Sequence, residues 1–246
     1  MMEVTPSRGP HEFPHTRWSV VLAARQNALP QSAAALEAIC QAYWYPVYAY
    51  IRHCGHSPHD AQDLAQEFFA RLLEKRWLDS ADREKGKLRT FLIVAVNRFM
   101  ANEWRKASAQ KRGAHLAHLP MDTAFAESRY AADTSAGLPA EGLFEQQWAL
   151  TLIDLTVRRL RAEFEGAGKA RDFEVLKPCL MADHGSISYS SIGAELGVSE
   201  GTAKVAVHRL RKRFRAIYRE EIAQTLSEGA DLDEELRHLA RALARE

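Results

Sequence analysis

The sequence predicts an all-α chain: two small helical domains joined by a linker, the C-terminal one built on a helix-turn-helix. Three observations predict it. Apolar residues recur three and four apart along most of the chain. Short β-branched runs such as Ile93-Val94 lie inside longer helical patterns, and strand signals are otherwise scarce. A Gly-Val-Ser step at 197–199 divides two segments that each carry an apolar face. At 246 residues the chain has room for one large or two small domains, at about 100–200 residues per domain.

Residues 1–15 carry Pro6, Gly9, Pro10 and Pro14 and read as an irregular lead-in. Thr16 can cap a first helix with Trp18, Val21 and Leu22 on one face. A second pattern runs from Ser32 to about His53, its stripe formed by Leu36, Ile39, Cys40, Tyr43, Trp44, Val47 and Ile51. Pro46 either bends it or splits it in two. Gly55 to Pro58 interrupts. His59 to Lys75 then reads as a helix with a Leu64, Phe68, Leu72 and Leu73 stripe, and Asp60 and Asp63 sit in its first turn, where the helix dipole favours acids. Residues 79–88 read as a polar loop, and Arg89 to about Gln110 as a long helix apolar at Phe91, Leu92, Ala95, Phe99 and Trp104.

Residues 113–141 are rich in Ala, Gly, Ser, Thr and Pro and weakly periodic, which predicts an interdomain linker. From Gly142 a stripe of Phe144, Trp148, Leu152, Leu155, Leu160 and Phe164 resumes the helical pattern. Ala170 to about Met181 follows, kinked or shortened by Pro178. Tyr189–Leu196 and Glu200 to Gln224 are the next helices, and Asp231 to Arg245 is a helical tail. The predicted domains are 16–112 and 142–225, with the linker at 113–141 and an acidic helical extension at 226–246.

Net charge is +1, so bulk charge does not announce a partner. Cys40, Cys54 and Cys179 are few, odd in number and far apart, which argues against a disulfide framework and for a reducing compartment. No apolar run approaches the roughly 18 residues that span a bilayer, and no apolar signal segment precedes residue 20. The expected location is the cytoplasm, with no membrane insertion.

The sharpest local signal is Ser190 to Leu210. Ile192 and Leu196 give the first short helix an inward face, and small Ala194 lets the second helix approach. Gly197 suits a left-handed turn, Val198 fills the corner and Ser199 caps the second helix. Val205, Val207 and Leu210 are expected to pack back onto the first helix. This layout lays a second helix in a DNA major groove. Charge agrees: Lys204, Arg209, Arg211, Lys212, Arg213, Arg215 and Arg219 follow one another with no acid between them, a stripe suited to phosphates. Glu220, Glu221, Glu228, Asp231, Asp233, Glu234 and Glu235 come next. They read as part of a capping helix, or as a tail that competes with DNA for the basic helix.

Asp60-Ala61-Gln62-Asp63-Leu64-Ala65-Gln66-Glu67-Phe68-Phe69-Ala70-Arg71 resembles the helix by which extracytoplasmic-function sigma factors grip the clamp of RNA polymerase. The stretch from Gly86-Lys87-Leu88-Arg89 through Asn97-Arg98 to Glu103-Trp104-Arg105-Lys106 resembles the family's promoter-melting and −10-reading part. The helix-turn-helix resembles its −35-reading domain. Together these cover about two-thirds of the chain in the family's order. The phrases Phe13–Ser19, Ala42–Tyr48 and Glu234–Leu239 resemble a subgroup with a C-terminal extension.

The resemblance implies a sigma factor, not an enzyme, and needs no metal or cofactor. Its partners would be the clamp and flap of core RNA polymerase, promoter DNA, and a regulator such as an anti-sigma factor; a free monomer is expected. At the clamp it puts Asp60, Asp63, Leu64, Gln66, Glu67, Phe68 and Arg71, the polar ones on the exposed face and Leu64, Phe68 and Leu72 toward the core. Asp60 also reads as a simple helix-capping acid. Along the melted −10 strand it puts Lys87, Arg89, Asn97, Arg98, Asn102, Trp104, Arg105 and Lys106, with Trp104 equally a core residue or a stacking platform. At −35 it puts Lys204, Val205, His208 and Arg209 toward bases and Arg211, Lys212 and Arg213 toward phosphates.

Two other motifs carry less. Gly197-Val198-Ser199-Glu200-Gly201 matches the Gly-x-Ser-x-Gly elbow of hydrolases, but that elbow needs a strand before it and here a helix precedes it. His53, Cys54, His56, His59 and Asp60 cluster without a second ligand pair at zinc spacing and read as a surface loop. The rival function is a free-standing helix-turn-helix regulator, which explains the C-terminal half equally well.

Overall fold

The computed structural model describes residues 29–74, 77, 87–107, 123–132, 137–226 and 229–244. The expected lead-in, the helix from Thr16, the loop at 79–86 and the first part of the linker, 113–122, lie outside the described residues. The fold is all-α, and no strand occurs among the described residues. No helix among them is long and apolar enough to cross a membrane. The chain divides into two compact units, Met1–Glu141 with Gln224–Gly229, and Gly142–Ala223 with Ala230–Glu246.

The first unit contains α1 (Leu29–His53), α2 (Pro58–Glu74), α3 (Leu88–Ala107) and α4 (Thr123–Ala132). Pro46 lies inside α1 without dividing it. A proline removes one backbone hydrogen bond, but every residue from Ala42 to Ile51 is buried, and packing of that extent holds the helix together. The stripe read from sequence therefore understates α1, whose second half is covered on all sides.

Helix α2 starts on a reciprocal cap. Ser57 Oγ accepts from the Asp60 N–H at 3.1 Å and donates to Asp60 Oδ2 at 2.7 Å. Pro58 occupies the first turn, where no donor is missed. Phe68, Phe69 and Leu72 of α2 and Leu92, Val96 and Phe99 of α3 are all buried in the core. The Phe68 ring is set edge-on to Phe69 (centroids 5.2 Å apart) and to Phe99 (5.8 Å).

Helix α4 lies within 113–141, the stretch read as an interdomain linker. Its local periodicity is weak, and contacts made far along the chain hold it. Glu127 receives a two-pronged contact from Arg52 of α1 (Nε to Oε2 3.1 Å, Nη2 to Oε1 2.8 Å) and a hydrogen bond from the Tyr48 hydroxyl. The Arg52 guanidinium lies 4.9 Å from the Tyr130 ring centre, and Arg129 lies 4.1 Å from that of Tyr45.

The second unit contains α5 (Ala140–Gly166, from Gly142 onward), α6 (Ala170–Leu176), a 3-10 turn at Lys177–Leu180, α7 (Tyr189–Leu196), α8 (Glu200–Ala223) and α9 (Leu232–Leu243). Pro178, in the first turn of the 3-10 segment, shortens the helix as expected. Leu160, Phe173, Leu176, Cys179, Ile192, Ala203, Val207, Leu210 and Ile217 form one core. Asp231 caps α9 by accepting from the N–H groups of Asp233 (2.8 Å) and Glu234 (3.2 Å).

Candidate nucleic-acid interface

The joint between α7 and α8 is set by two glycines and a serine. Gly197 ends α7 at φ 68°, ψ 33°, the left-handed region that favours glycine. Its neighbour Val198 then returns an N–H to Gly193 O at 2.9 Å. Ser199 opens α8, its Oγ accepting from the Thr202 N–H at 3.2 Å. That role accounts for the serine in the Gly-x-Ser-x-Gly match. Close approach falls to Gly193 rather than Ala194: a Cβ on Gly193 would stand 2.8 Å from Val198 O, whereas Ala194 is exposed. Val198 does not fill the corner, being 39% exposed, and Val205 does not pack back, being 48% exposed. Ala203, absent from the predicted core, takes the inner position with Val207 and Leu210.

Helix α8 thereby turns Lys204, Val205, His208, Arg209, Lys212 and Arg215 to solvent. Beside them a groove of about 420 Å³ runs along Phe164, Leu176, Leu196, Val198, Val205 and Arg209. Three of the basic residues are taken up by the domain. Arg211 donates from Nε to Cys179 O at 2.8 Å and from Nη2 to Ala182 O. Those carbonyls follow the break at Pro178, so Arg211 supplies donors where helical ones end. Arg213 forks onto Glu163 at 2.8 and 2.6 Å, which holds the Glu163 carboxyl below its ordinary value. Arg219 pairs with Asp233 of α9 at 2.7 Å. Of the two arginines expected at phosphates, Arg211 is drawn onto backbone carbonyls of the domain, whereas Arg213 stays exposed and is paired at the surface with Glu163. Lys212 keeps an exposed side chain.

The first unit presents two further faces. On α3, Thr90, Val94, Asn97, Arg98, Ala101, Asn102 and Trp104 are exposed. Trp104 is 75% exposed, which decides against the core alternative. Asn97 Oδ1 accepts from the Tyr50 hydroxyl at 2.6 Å, a contact between α1 and α3 that no local sequence signal announces. Arg89 is a correction: at 3% exposed it faces the interior. Lys87 is half-buried at the mouth of α3, and the side chains of Arg105 and Lys106 lie outside the described residues.

On α2, Asp60 and Asp63 are exposed, and Leu64 and Glu67 are half-buried. Gln66, expected on the polar face, is instead buried at 9% exposed. Phe68 is fully buried, so it supports the helix from beneath and offers no surface to a partner. Arg71 pairs with Glu67 one turn back and with Glu103 of α3, and stands 5.2 Å from the Phe99 ring centre. Among the described residues no group of three or more His, Cys, Asp or Glu is arranged to hold a metal ion.

Residues 41–110, less than a third of the chain, match the family model of Sigma-70 region 2. No curated protein and no solved structure matches the chain. The matched segment contains the second half of α1 and all of α2 and α3, the helices that carry the acidic and the aromatic-basic faces described above. The match supports a sigma-70 family sigma factor with a role in transcription initiation, and implies binding to core RNA polymerase and promoter DNA.

Proposed function

We propose that the chain is a sigma factor of the extracytoplasmic-function type, with a C-terminal extension, which acts in the cytoplasm. It binds the clamp and flap of core RNA polymerase, reads promoter DNA at −35 and −10, and holds the melted strand. Residues 16–112 form the region-2-like part, residues 142–225 the −35-reading helix-turn-helix, and residues 226–246 the extension. The observation that carries this reading is the exposed face of α3, with Trp104 and Arg98 open to solvent, inside the segment that matches Sigma-70 region 2. Melting DNA exchanges base stacking for protein contacts, and an exposed tryptophan on a helix with cationic and amide side chains offers such contacts.

Under this reading Asp60, Asp63 and Glu67 of α2 face the polymerase. Lys204, Val205, His208 and Arg209 of α8 face the −35 bases, and Lys212 a phosphate. The Arg219–Asp233 pair favours the extension as a cap on α8, and in that role it also withdraws one cation from the basic stripe. The exposed face of α8 would equally serve a free-standing regulator. The discriminating experiment is a pull-down with purified core RNA polymerase followed by run-off transcription from a genomic fragment pool. Stable binding with new start sites supports the sigma factor; DNA binding without polymerase binding favours the regulator.

A further inference from the structure

Asn97 is exposed on α3, yet its carboxamide is held from below. The Tyr50 hydroxyl of α1 donates to Asn97 Oδ1 at 2.6 Å. Tyr50 is 3% exposed, and burial pushes its phenol above the ordinary value, so it remains a neutral donor whenever DNA is bound. With Oδ1 engaged toward the interior, the other arm of the planar amide, Nδ2, is directed away from Tyr50 and toward solvent. Asn97, Ala101 and Trp104 follow at spacings of four and three, which places them on one stripe of α3. Seven residues of helix span about 10 Å at roughly 1.5 Å per residue, so a held NH2 group lies about that far from the ring of an exposed tryptophan. Ala101 between them adds little bulk.

We infer that Tyr50 is a positioning residue for the promoter single strand: it orients Asn97 so that its NH2 faces outward and takes a base-edge acceptor on a nucleotide near the one stacked on Trp104. This rests on the reading of α3 as the strand-facing helix. The chemistry distinguishes bases. Reading adenine with a carboxamide takes both arms, a donor to N7 and an acceptor for the N6 amino group. With Oδ1 turned toward Tyr50 and one of its two lone pairs occupied there, Asn97 presents its NH2 outward, which suits thymine O4 or guanine O6 and N7 and disfavours the two-armed adenine contact.

The test uses the full-length chain assembled with core RNA polymerase and forked promoter oligonucleotides whose exposed −10 strand is randomised and sequenced after selection. Tyr50→Phe keeps the ring and removes the hydroxyl. It is expected to retain core binding and thermal midpoint and to shift one strand position toward adenine by roughly threefold, the scale of one hydrogen bond. Asn97→Asp keeps the acceptor for Tyr50 but turns an oxygen outward. It is expected to weaken strand binding about tenfold, the scale of a lost hydrogen bond plus an outward negative charge, with core binding unchanged. An unchanged base distribution in folded, core-bound Tyr50→Phe overturns the inference. So does wild-type strand binding by Asn97→Asp, which decides the matter even where Tyr50→Phe fails to fold. Absence of core binding by the unaltered chain removes the sigma reading and the inference with it, and is recognised before any variant is compared.

Discussion

Arg71 of α2 and Glu103 of α3 form an ion pair between the helix assigned to the polymerase and the helix assigned to the DNA. The same guanidinium also pairs with Glu67. Because Glu103 adjoins exposed Trp104, a change at the clamp-facing side of α2 is one residue contact from the strand-facing side of α3.

Replacing Arg71 by Met leaves two half-buried carboxylates without their shared cation. The expected cost is about 1–3 kcal/mol, the range for hydrogen bonds to charged groups that are partly screened by solvent. Urea unfolding measures it. A double-mutant cycle with Glu103→Gln should give a coupling well outside additivity, since the two groups touch; additive effects would show that the pair contributes nothing.

Asp63 is exposed, so Asp63→Arg should leave the thermal midpoint near that of the unaltered chain while greatly weakening polymerase binding. Unchanged affinity in a pull-down would remove α2 from the interface. Phe68→Ala is the wrong probe for this purpose, because emptying a fully buried ring site costs about 3–5 kcal/mol and loosens the unit as a whole.

Arg209 and Arg213 stand one turn apart on α8 but should behave differently. Arg209→Ala is expected to cost about 1–3 kcal/mol in −35 binding with stability unchanged, as for a good base contact. Arg213→Ala should lower stability, because it breaks the fork onto Glu163, and should alter base preference little. Competition binding on promoter variants together with thermal melts separates the two. A −35 preference untouched by Arg209→Ala would refute its assignment.

The Arg52–Glu127 contact should be sensitive to acid. Arg52 holds the Glu127 carboxyl below the ordinary value of 4.5. A depressed folded value means that the contribution is fully present above about pH 4.5 and is lost as pH falls through the lower folded value. Docking of α4 on α1, followed by hydrogen exchange of Thr123–Ala132, should weaken in that window. Glu127→Gln should weaken docking at neutral pH and abolish the acid dependence; an acid response that persists in this variant would place its origin elsewhere.

Gly193→Ala should disturb the α7–α8 joint, since the new methyl carbon would sit 2.8 Å from a backbone oxygen. A cost of about 1–3 kcal/mol is expected, as for overpacking elsewhere. Ala194→Ser, one residue on, should be nearly neutral. Equal effects at the two sites would contradict the geometry of the turn.

What the sequence by itself determined here is whatever local spacing controls. The helical class, the cap at Ser199, the left-handed turn at Gly197, the break at Pro178 and the bounds of α7 follow from side-chain periodicity and backbone chemistry within a few residues. The candidate faces on α2, α3 and α8 were legible for the same reason. Tertiary structure decided which charged and polar side chains in those faces remain outside. Arg89, Arg211 and Arg213 look alike with Arg98 and Arg209 as sequence, but Arg89 is buried, the carbonyls of Cys179 and Ala182 engage Arg211, and Glu163 pairs with Arg213 at the surface. Helix α4 depends on Tyr48 and Arg52, more than seventy positions from Glu127, and Asn97 on Tyr50, forty-seven positions away. Periodicity carries no record of such partners, because a contact that closes a long loop is specified by the packed fold rather than by its neighbours in the chain.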